Sequence, residues 1–333
     1  MLSVICPIYN EEKYILGCIE SILAQDYPKD DLEVIFADGM STDKTREIVA
    51  EYTAIYPWIR LIDNTDRIVP PALNKAIEAS KGDVIMRLDA HASYPSNYFS
   101  RLTKALKIYD ADNVGGVCIT QPINNSPKAK AIAAVLSSKF GMGNSDFRVG
   151  AKAVKQVDTV PFGCWPRKVF DRIGYFDLEL IRNQDDEFNG RLTKAGGRIF
   201  LLPDVEIKYY ARDTIGKVSK MFYQYGLFKP LVNKKLGYPA TIRQFFPLLL
   251  VFGLVFGLFL SFLWKPFLWI YLSVVAIYFF LALTFSIRAS RNIHQILFQV
   301  ITYFDVHISY GVGYIVGLYK LLLGKSFTAK VNR

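Results

Sequence analysis

Two stretches near the C-terminal end, Phe245–Leu263 and Phe267–Ile287, carry no charged side chain at all. Each is long enough to cross about 30 Å of hydrocarbon as a helix, and in lipid only a helix or a closed barrel satisfies its own backbone. Joined by the short Lys265-Pro266 connection, they read as a helical hairpin; a buried pair of soluble core helices fits poorly at this length and hydrophobicity. A third apolar run, Ile296–Leu323, contains Asp305 and His307 and is long for one crossing but short for two. If the N-terminal part is inside, two crossings return Arg288 and Arg291 to the cytoplasm, as the positive-inside rule prefers. A third would carry Lys325, Lys330 and Arg333 outside, so this run is expected to re-enter or to lie at the interface. Gly253-x-x-x-Gly257 and Gly313-x-x-x-Gly317 are spaced for close helix packing.

Composition sharpens this division. Hydrophobic residues make up 51% of the 333 and mean hydropathy is +0.19, with nearly all of the excess after Gln244. Of the net charge of +10, the seven basic residues set against Asp305 after Gln244 account for +6, leaving +4 upstream. The basic excess therefore accompanies the hydrophobic tail, where it suits anionic lipid. No basic stripe or motif supports nucleic-acid binding. Cys6, Cys18, Cys118 and Cys164 form no CxxC pair and lie among apolar residues, so they read as reduced core thiols of a cytosolic compartment. Met1 runs straight into Leu2-Ser3-Val4-Ile5-Cys6-Pro7 without a signal-peptide pattern, which places the expected catalytic part on the cytoplasmic side of a multi-pass cell-membrane protein.

Upstream, short apolar runs alternate with helical patterns, the signature of βαβ units around a parallel sheet. Strands are expected at Ser3–Cys6, Leu32–Ala37, Trp58–Ile62, Val84–Leu88 and Val114–Thr120, with helices at Glu12–Ala24, Asp43–Tyr56, Ala72–Ala79 and Ser96–Tyr109. Polar clusters follow the first, second and fourth strands: Pro7-Ile8-Tyr9-Asn10-Glu11-Glu12, Asp38-Gly39-Met40-Ser41-Thr42-Asp43, and Asp89-Ala90-His91. In an open α/β sheet ligands bind beyond the strands' C-terminal ends, so the three clusters are expected to share a crevice. For Asp38 and Asp43, turn and helix-cap duty is the competing reading. No GxGxxG follows the first strand and no P-loop is present, which sets a dehydrogenase or P-loop enzyme aside.

Asp89 and His91, two apart on an extended segment, would point the same way and reach one cation or one diphosphate. The alternative is that Asp89 caps the next helix and His91 is a solvated loop residue. Asp185–Gly196 has helical spacing, with Phe188, Leu192 and Ala195 on an apolar stripe and Asp185, Asp186 and Glu187 in the first turn. Acids there complement the helix dipole, and three adjacent carboxylates also repel, lifting at least one toward general-base use.

These motifs in this order resemble family 2 glycosyltransferases of the GT-A fold, over residues 2 to about 230. Pro7–Glu12 is similar to the opening nucleotide motif, Asp38-Gly39-x-Ser41-x-Asp43 to the base-binding turn, Leu88–His91 to the DxD metal position, and Asp185-x-Glu187 with Arg191 to the acidic catalytic motif. More narrowly, Asp89-Ala90-His91-Ala92, Gly141-x-Gly143-Asn144-Ser145-x-Phe147-Arg148, Asp158-Thr159-Val160-x-Phe162-Gly163 and Asn183-Gln184-Asp185 look like succinoglycan-type β-1,3-glucosyltransferases. His91 departs from the second Asp of DxD, and QxxRW is not matched after Gln224, which favours one sugar per encounter. The resemblance implies a Rossmann-like α/β catalytic domain over 1–230, an interfacial linker over 231–244, a membrane region over 245–323 and a basic tail over 324–333. It implies an inverting transferase that takes a UDP-sugar to a lipid-linked, polyprenyl diphosphate saccharide. Pro7, Tyr9, Glu11, Asp38 and Asp89 would bind the nucleotide, and Asp89 with His91 would hold Mn²⁺ or Mg²⁺. Asp185 would be the base with Glu187 beside it, and Gly163 and Arg191 would contact acceptor or diphosphate. Competing readings are a polyprenyl-phosphate sugar synthase and, in another class, a non-catalytic nucleotide-sensing or docking membrane protein.

Overall fold

The computed structural model describes residues 1–239 and 241–328, so Lys330 and Arg333 of the expected basic tail lie outside the described residues. Among the described residues nine strands run in chain order as β1 (Leu2–Ile8), β2 (Leu32–Asp38), β3 (Ile59–Asp63), β4 (Val84–Arg87), β5 (Ala92–Ser93), β6 (Asn113–Gln121), β7 (Lys155–Gln156), β8 (Cys164–Pro166) and β9 (Ile199–Tyr210). Helices are α1 (Ile15–Leu23), α2 (Thr45–Ile55), α3 (Val69–Ala79), α4 (Tyr98–Ile108), α5 (Pro127–Leu136), α6 (Lys139–Met142) and α7 (Asp146–Val149). They continue as α8 (Lys168–Ile173), α9 (Gln184–Lys194), α10 (Ile215–Leu236), α11 (Phe245–Leu263), α12 (Lys265–Ala289) and α13 (Ile293–Leu322). The described residues form two compact units, one holding Met1–Ile119 with Gly150–Tyr209, the other Thr120–Val149 with residues 210–328.

The first unit is a helix-flanked sheet of strand order β3-β2-β1-β4-β8-β6-β9-β5, with β7 added to β9. β1 to β4 are mutually parallel, Ile8 lying beside Asp38 and Ile5 beside Arg87. Every residue of β2 and all but Pro7 of β1 are buried, the pattern of central strands covered on both faces. α1 buries Ile15, Cys18, Ile19 and Ile22 at helical spacing. From β8 onward the sheet departs from the expected parallel arrangement: β8 inserts antiparallel between β4 and β6, and β5 and β7 pair antiparallel with β9. β1 is the switch point, because the chain builds outward to β2 and β3 on one side and to β4 on the other, which opens a crevice beyond its C-terminal end.

The second unit is helical. Its core joins Ile132 and Leu136 of α5, Val218 and Phe222 of α10, and Tyr303 and Val306 of α13. α10 is continuous through Pro230, where the expected catalytic domain ends, and reaches Leu236. α11 and α12 are the two helices apolar and long enough to cross a membrane among the described residues, with 11% of each apolar window buried. Trp264 alone separates them; Lys265 and Pro266, expected to be the connection, form the first turn of α12, where proline's missing N–H costs nothing. The third apolar run forms the single helix α13, which crosses α10 at glycine contacts: a Cβ on Gly313 or Gly317 would strike the carbonyl oxygen of Tyr223 or Leu227, and one on Gly226 that of Tyr310. Of the other glycine pair, Gly257 packs on Tyr271 whereas Gly253 faces open space.

Candidate active site

Beyond β1 and β2 the polar clusters interlock. Asn10, at φ 55°, accepts through Oδ1 from Thr42 N at 2.8 Å and donates its own N–H to Ser41 Oγ at 2.9 Å. Glu11 is buried and its N–H donates to Thr45 Oγ1 at 2.7 Å, while Pro7 and Tyr9 are half-buried. Gly39 lies against the Tyr9 ring, a Cβ there falling 3.1 Å from Cδ2. Asp38, wholly buried at the end of β2, accepts from Ser41 N at 3.0 Å, Ser41 Oγ at 2.5 Å and Arg46 Nη1 at 2.6 Å. Arg46 also reaches Asp63 at 2.8 Å. Asp38 is thus first the organiser of the 38–41 turn, though Oδ1 carries one bond and has acceptor capacity left. Asp43 serves the start of α2, accepting from Thr45 N at 3.0 Å and Glu12 N at 3.1 Å.

At β4 the strand ends at Arg87, and Asp89 to Ala92 form a tight turn closed by Ala92 N donating to Asp89 O at 3.2 Å. The extended spacing expected for Asp89 and His91 is replaced by turn positions i and i+2, so strand alternation is not what sets the direction of their side chains. The turn is fixed by buried Tyr94, whose hydroxyl accepts from Asp89 N at 2.8 Å and donates to Asp89 O at 3.2 Å. The His91 ring meets Tyr209 edge-on, centroids 5.7 Å apart. Arg87, itself buried, clasps the Asp89 carboxylate in a two-pronged pair, Nε to Oδ1 at 3.0 Å and Nη2 to Oδ2 at 3.3 Å. Its backbone N–H donates to Gly163 O at 3.0 Å. Gly163 has φ +101°, and a Cβ there would run into the Trp165 ring, so that position requires glycine.

α9 begins after Asn183, which holds a left-handed φ of 62° and turns the chain into the helix. The three acids do occupy the first turn. They part company there. Glu187 is buried and bound by Arg191, Nε to Oε1 at 2.8 Å and Nη2 to Oε2 at 2.9 Å. Arg191 further donates to the carbonyl oxygens of Ile173 and Tyr175 and covers the Phe188 ring at 5.2 Å. With both arms so engaged, Arg191 ties α9 to the segment after α8. Asp185 has its carboxyl pushed up, by burial first and then by the negative charge of Asp186, against the opposing pull of Arg87. Mutual repulsion, the expected cause, is therefore secondary to burial. Arg87 is disfavoured as a cation by burial, but Asp89 and then Asp185 outweigh this and hold its charge. One buried guanidinium thus links the acid at the end of β4 with the acid at the start of α9.

Among the described residues no three His, Cys, Asp or Glu side chains gather into a self-contained metal site. A hard divalent cation commonly takes one or two protein ligands and completes its shell with substrate phosphates and water. A carboxylate and an imidazole on one turn fit a cation that arrives with a diphosphate. Sequence reasoning missed Arg87 and Tyr94. An arginine inside the apolar run Val84–Leu88 was the available signal, since a charge buried in a strand must have a partner nearby.

Comparison with known proteins gives the family and the fold. Residues 3–174 match the glycosyl transferase family 2. Over 287 residues the chain is 31% identical to a dolichyl N-acetyl-alpha-D-glucosaminyl phosphate 3-beta-D-2,3-diacetamido-2,3-dideoxy-beta-D-glucuronosyltransferase of Methanococcus voltae, spanning 83% of this chain and 85% of that one. Over 259 residues it is 32% identical to the succinoglycan biosynthesis protein ExoA of Rhizobium meliloti (strain 1021), spanning 74% of each. The fold is shared with the mannosyltransferase PcManGT of Pyrobaculum calidifontis, solved with GDP-Man and Mn²⁺, at a TM-score of 0.58 and 19% identity over 98% of this chain and 88% of that one. It is also shared with S. aureus TarS 1-349 in complex with UDP-GlcNAc, at 0.53 and 16% over 99% and 94%. The GT-A expectation therefore holds for the sheet, and by residues 3–174 and by kinship along most of its length the chain is a transferase enzyme that belongs to glycosyl transferase family 2.

Proposed function

We propose that the chain is an inverting transferase that moves a sugar from a UDP-sugar onto a lipid-linked saccharide during assembly of a polysaccharide or glycoconjugate. The observation that carries this is the gathering of Glu11, Asp38 and Asp89 at the ends of β1, β2 and β4, with Asp185 coupled to the same place through Arg87. Pro7, Tyr9 and Glu11 line the nucleoside site, and Asp38 offers the open lone pair of Oδ1 to the imide N–H of uracil. Asp89 with His91 would hold Mn²⁺ or Mg²⁺, whose charge offsets the negative charge that grows on the departing UDP. Asp185 takes the proton of the acceptor hydroxyl as its oxygen bonds to the anomeric carbon, and the anomeric C–O bond breaks with its electron pair leaving on UDP. Glu187 and Arg191 support this from behind, as the lock that sets the pitch of α9.

The Methanococcus relative's name describes a sugar added to a dolichyl-linked sugar phosphate, which favours a saccharide acceptor over bare polyprenyl phosphate. The "3-beta" in the Methanococcus relative's name, together with the motif resemblance to succinoglycan-type transferases, favours a β-1,3-glucosyl linkage. α11 and α12 cross the membrane, α13 re-enters it or lies at the interface, and residues 1–230 act on the cytoplasmic side. Radiolabelled UDP-sugars incubated with native lipid extract test the proposal: a labelled disaccharide-diphospholipid is expected, and a sugar-monophospho-polyprenol as sole product would replace it with the polyprenyl-phosphate reading. Asp185→Asn is expected to lose about 10² to 10⁴ in turnover while keeping UDP affinity. Near-wild-type turnover would reassign the base. For the cation, His91→Asp restores two carboxylates and is expected to keep activity with a shift toward Mg²⁺; loss in both Mn²⁺ and Mg²⁺ would remove His91 from the ligand set.

A further inference from the structure

Arg87 has no part in the resemblance that assigns the other site residues, yet it occupies the one carboxylate on which cation binding depends. The guanidinium takes both Asp89 oxygens, at 3.0 Å and 3.3 Å, in the fork geometry that arginine makes with a carboxylate. The pair is well sheltered, the two side chains being 8% and 17% exposed, so water screens it little. The Arg87 backbone is held by Gly163 O, and the Asp89 backbone is held at both its N–H and its C=O by Tyr94. Neither partner therefore drifts away on its own. A cation placed on the same oxygens would stand within a few ångströms of a fixed positive charge, a repulsion that is costly away from bulk water. A nucleoside diphosphate changes the balance, because its own negative charge and oxygens compensate the cation and offer the guanidinium another partner.

We infer that Arg87 is a positioning residue that competes with the divalent cation for Asp89, so that the cation enters only together with the nucleotide diphosphate. This rests on the assignment of Asp89 to the cation made above. In the nucleotide-free protein Arg87 serves as the internal counter-ion of Asp89 and keeps its carboxylate oriented. On nucleotide binding the carboxylate turns to the cation, and Arg87 keeps Asp185 as its remaining anionic neighbour within the protein. The device makes donor and metal arrive as one species.

Full-length protein in detergent is titrated with Mn²⁺ alone and with Mn²⁺ in saturating UDP, free Mn²⁺ being followed by its paramagnetic resonance signal. Wild type is expected to bind Mn²⁺ weakly alone and much more tightly with UDP. Arg87→Gln is expected to tighten Mn²⁺ alone by about tenfold or more, which narrows the gap between the two titrations. Arg87→Lys keeps the charge but lacks the fork, and is expected to fall between them, which provides a second reading if the glutamine variant does not fold. Mn²⁺ affinity without UDP that is unchanged or weaker in the folded variants overturns the inference and leaves the assignment of Asp89 intact. If wild type takes up no Mn²⁺ even with UDP, or if Asp89→Asn binds it as wild type does, the assignment itself falls and this inference with it.

Discussion

Asp185 and Glu187 sit two residues apart in one helical turn, yet their surroundings give them different work. Glu187 is spent on Arg191, whereas Asp185 is half-buried beside Asp186 with its carboxyl pushed up. A base must be ionised, so kcat/KM is expected to fall as pH drops through the pKa of Asp185, which burial and Asp186 raise. Asp186→Asn removes one of the influences that raise it and should move this acid limb to lower pH; a limb that stays in place or moves up would show that Asp185 is not the group observed. Gly163 gives a stability prediction at the same scale. Alanine there faces both a positive φ and the Trp165 ring, which together should cost about 2 kcal/mol or more and lower the melting temperature by several degrees. An unchanged melting temperature would contradict the close approach. The acids themselves were legible in the sequence because chain position and helical spacing define them. Arg191 was legible too, four residues after Glu187 on the same helix, whereas its bonds to Ile173 and Tyr175 and the Tyr94 hydroxyl on the Asp89 backbone depend on where loops come to rest.

Among the elements, the four parallel strands and the helices between them appear within a few residues of their expected bounds, because short continuous apolar runs and period-3.6 spacing are written directly into those segments. β8 was invisible: three residues that become a strand only by fitting between β4 and β6 have no periodicity to read. β9 had a signal that went unread, for Val205, Ile207 and Tyr209 are buried while Glu206, Lys208 and Tyr210 alternate outward. The helical unit makes its own test. α10 and α13 approach so closely at Gly226, Gly313 and Gly317 that each would drive a side chain into the facing backbone, whereas Gly253 on α11 meets nothing within 4 Å. Gly313→Leu should therefore abolish folding or cut thermal stability severely, and Gly253→Leu should leave it within about 0.5 kcal/mol of wild type. Equal effects of the two would refute the α10–α13 crossing.

For the molecule as a whole, the informative contrast lies between α13 and the α11–α12 hairpin. α13 buries Gln299, Thr302, Tyr303 and Val306 on protein, and its glycines are committed to α10 and α11. The hairpin instead turns large apolar side chains outward, among them Phe246 at 68%, Phe262 at 82% and Phe280 at 68% exposure. A continuous apolar surface of that kind marks an interaction site, and with the length and composition of α11 and α12 it suggests association with a membrane. Cutting the chain near Lys235 is a poor test of the anchor, because it also strips α13 from the buried face of α10, where Phe222, Leu227 and Phe228 would be laid bare. Charge placed on the lipid face alone is the cleaner experiment. Phe256→Lys together with Phe280→Lys leaves the α10–α13 core untouched, and each lysine carried into hydrocarbon costs about 2.5 to 3.5 kcal/mol if it lies near the bilayer centre. The variant is expected to move from the membrane pellet toward the supernatant and to lose transfer to lipid-linked acceptor in vesicles, while UDP binding is retained. If it stays fully in the pellet through a carbonate wash and transfers sugar as wild type does, the hairpin is not what holds this enzyme at the membrane.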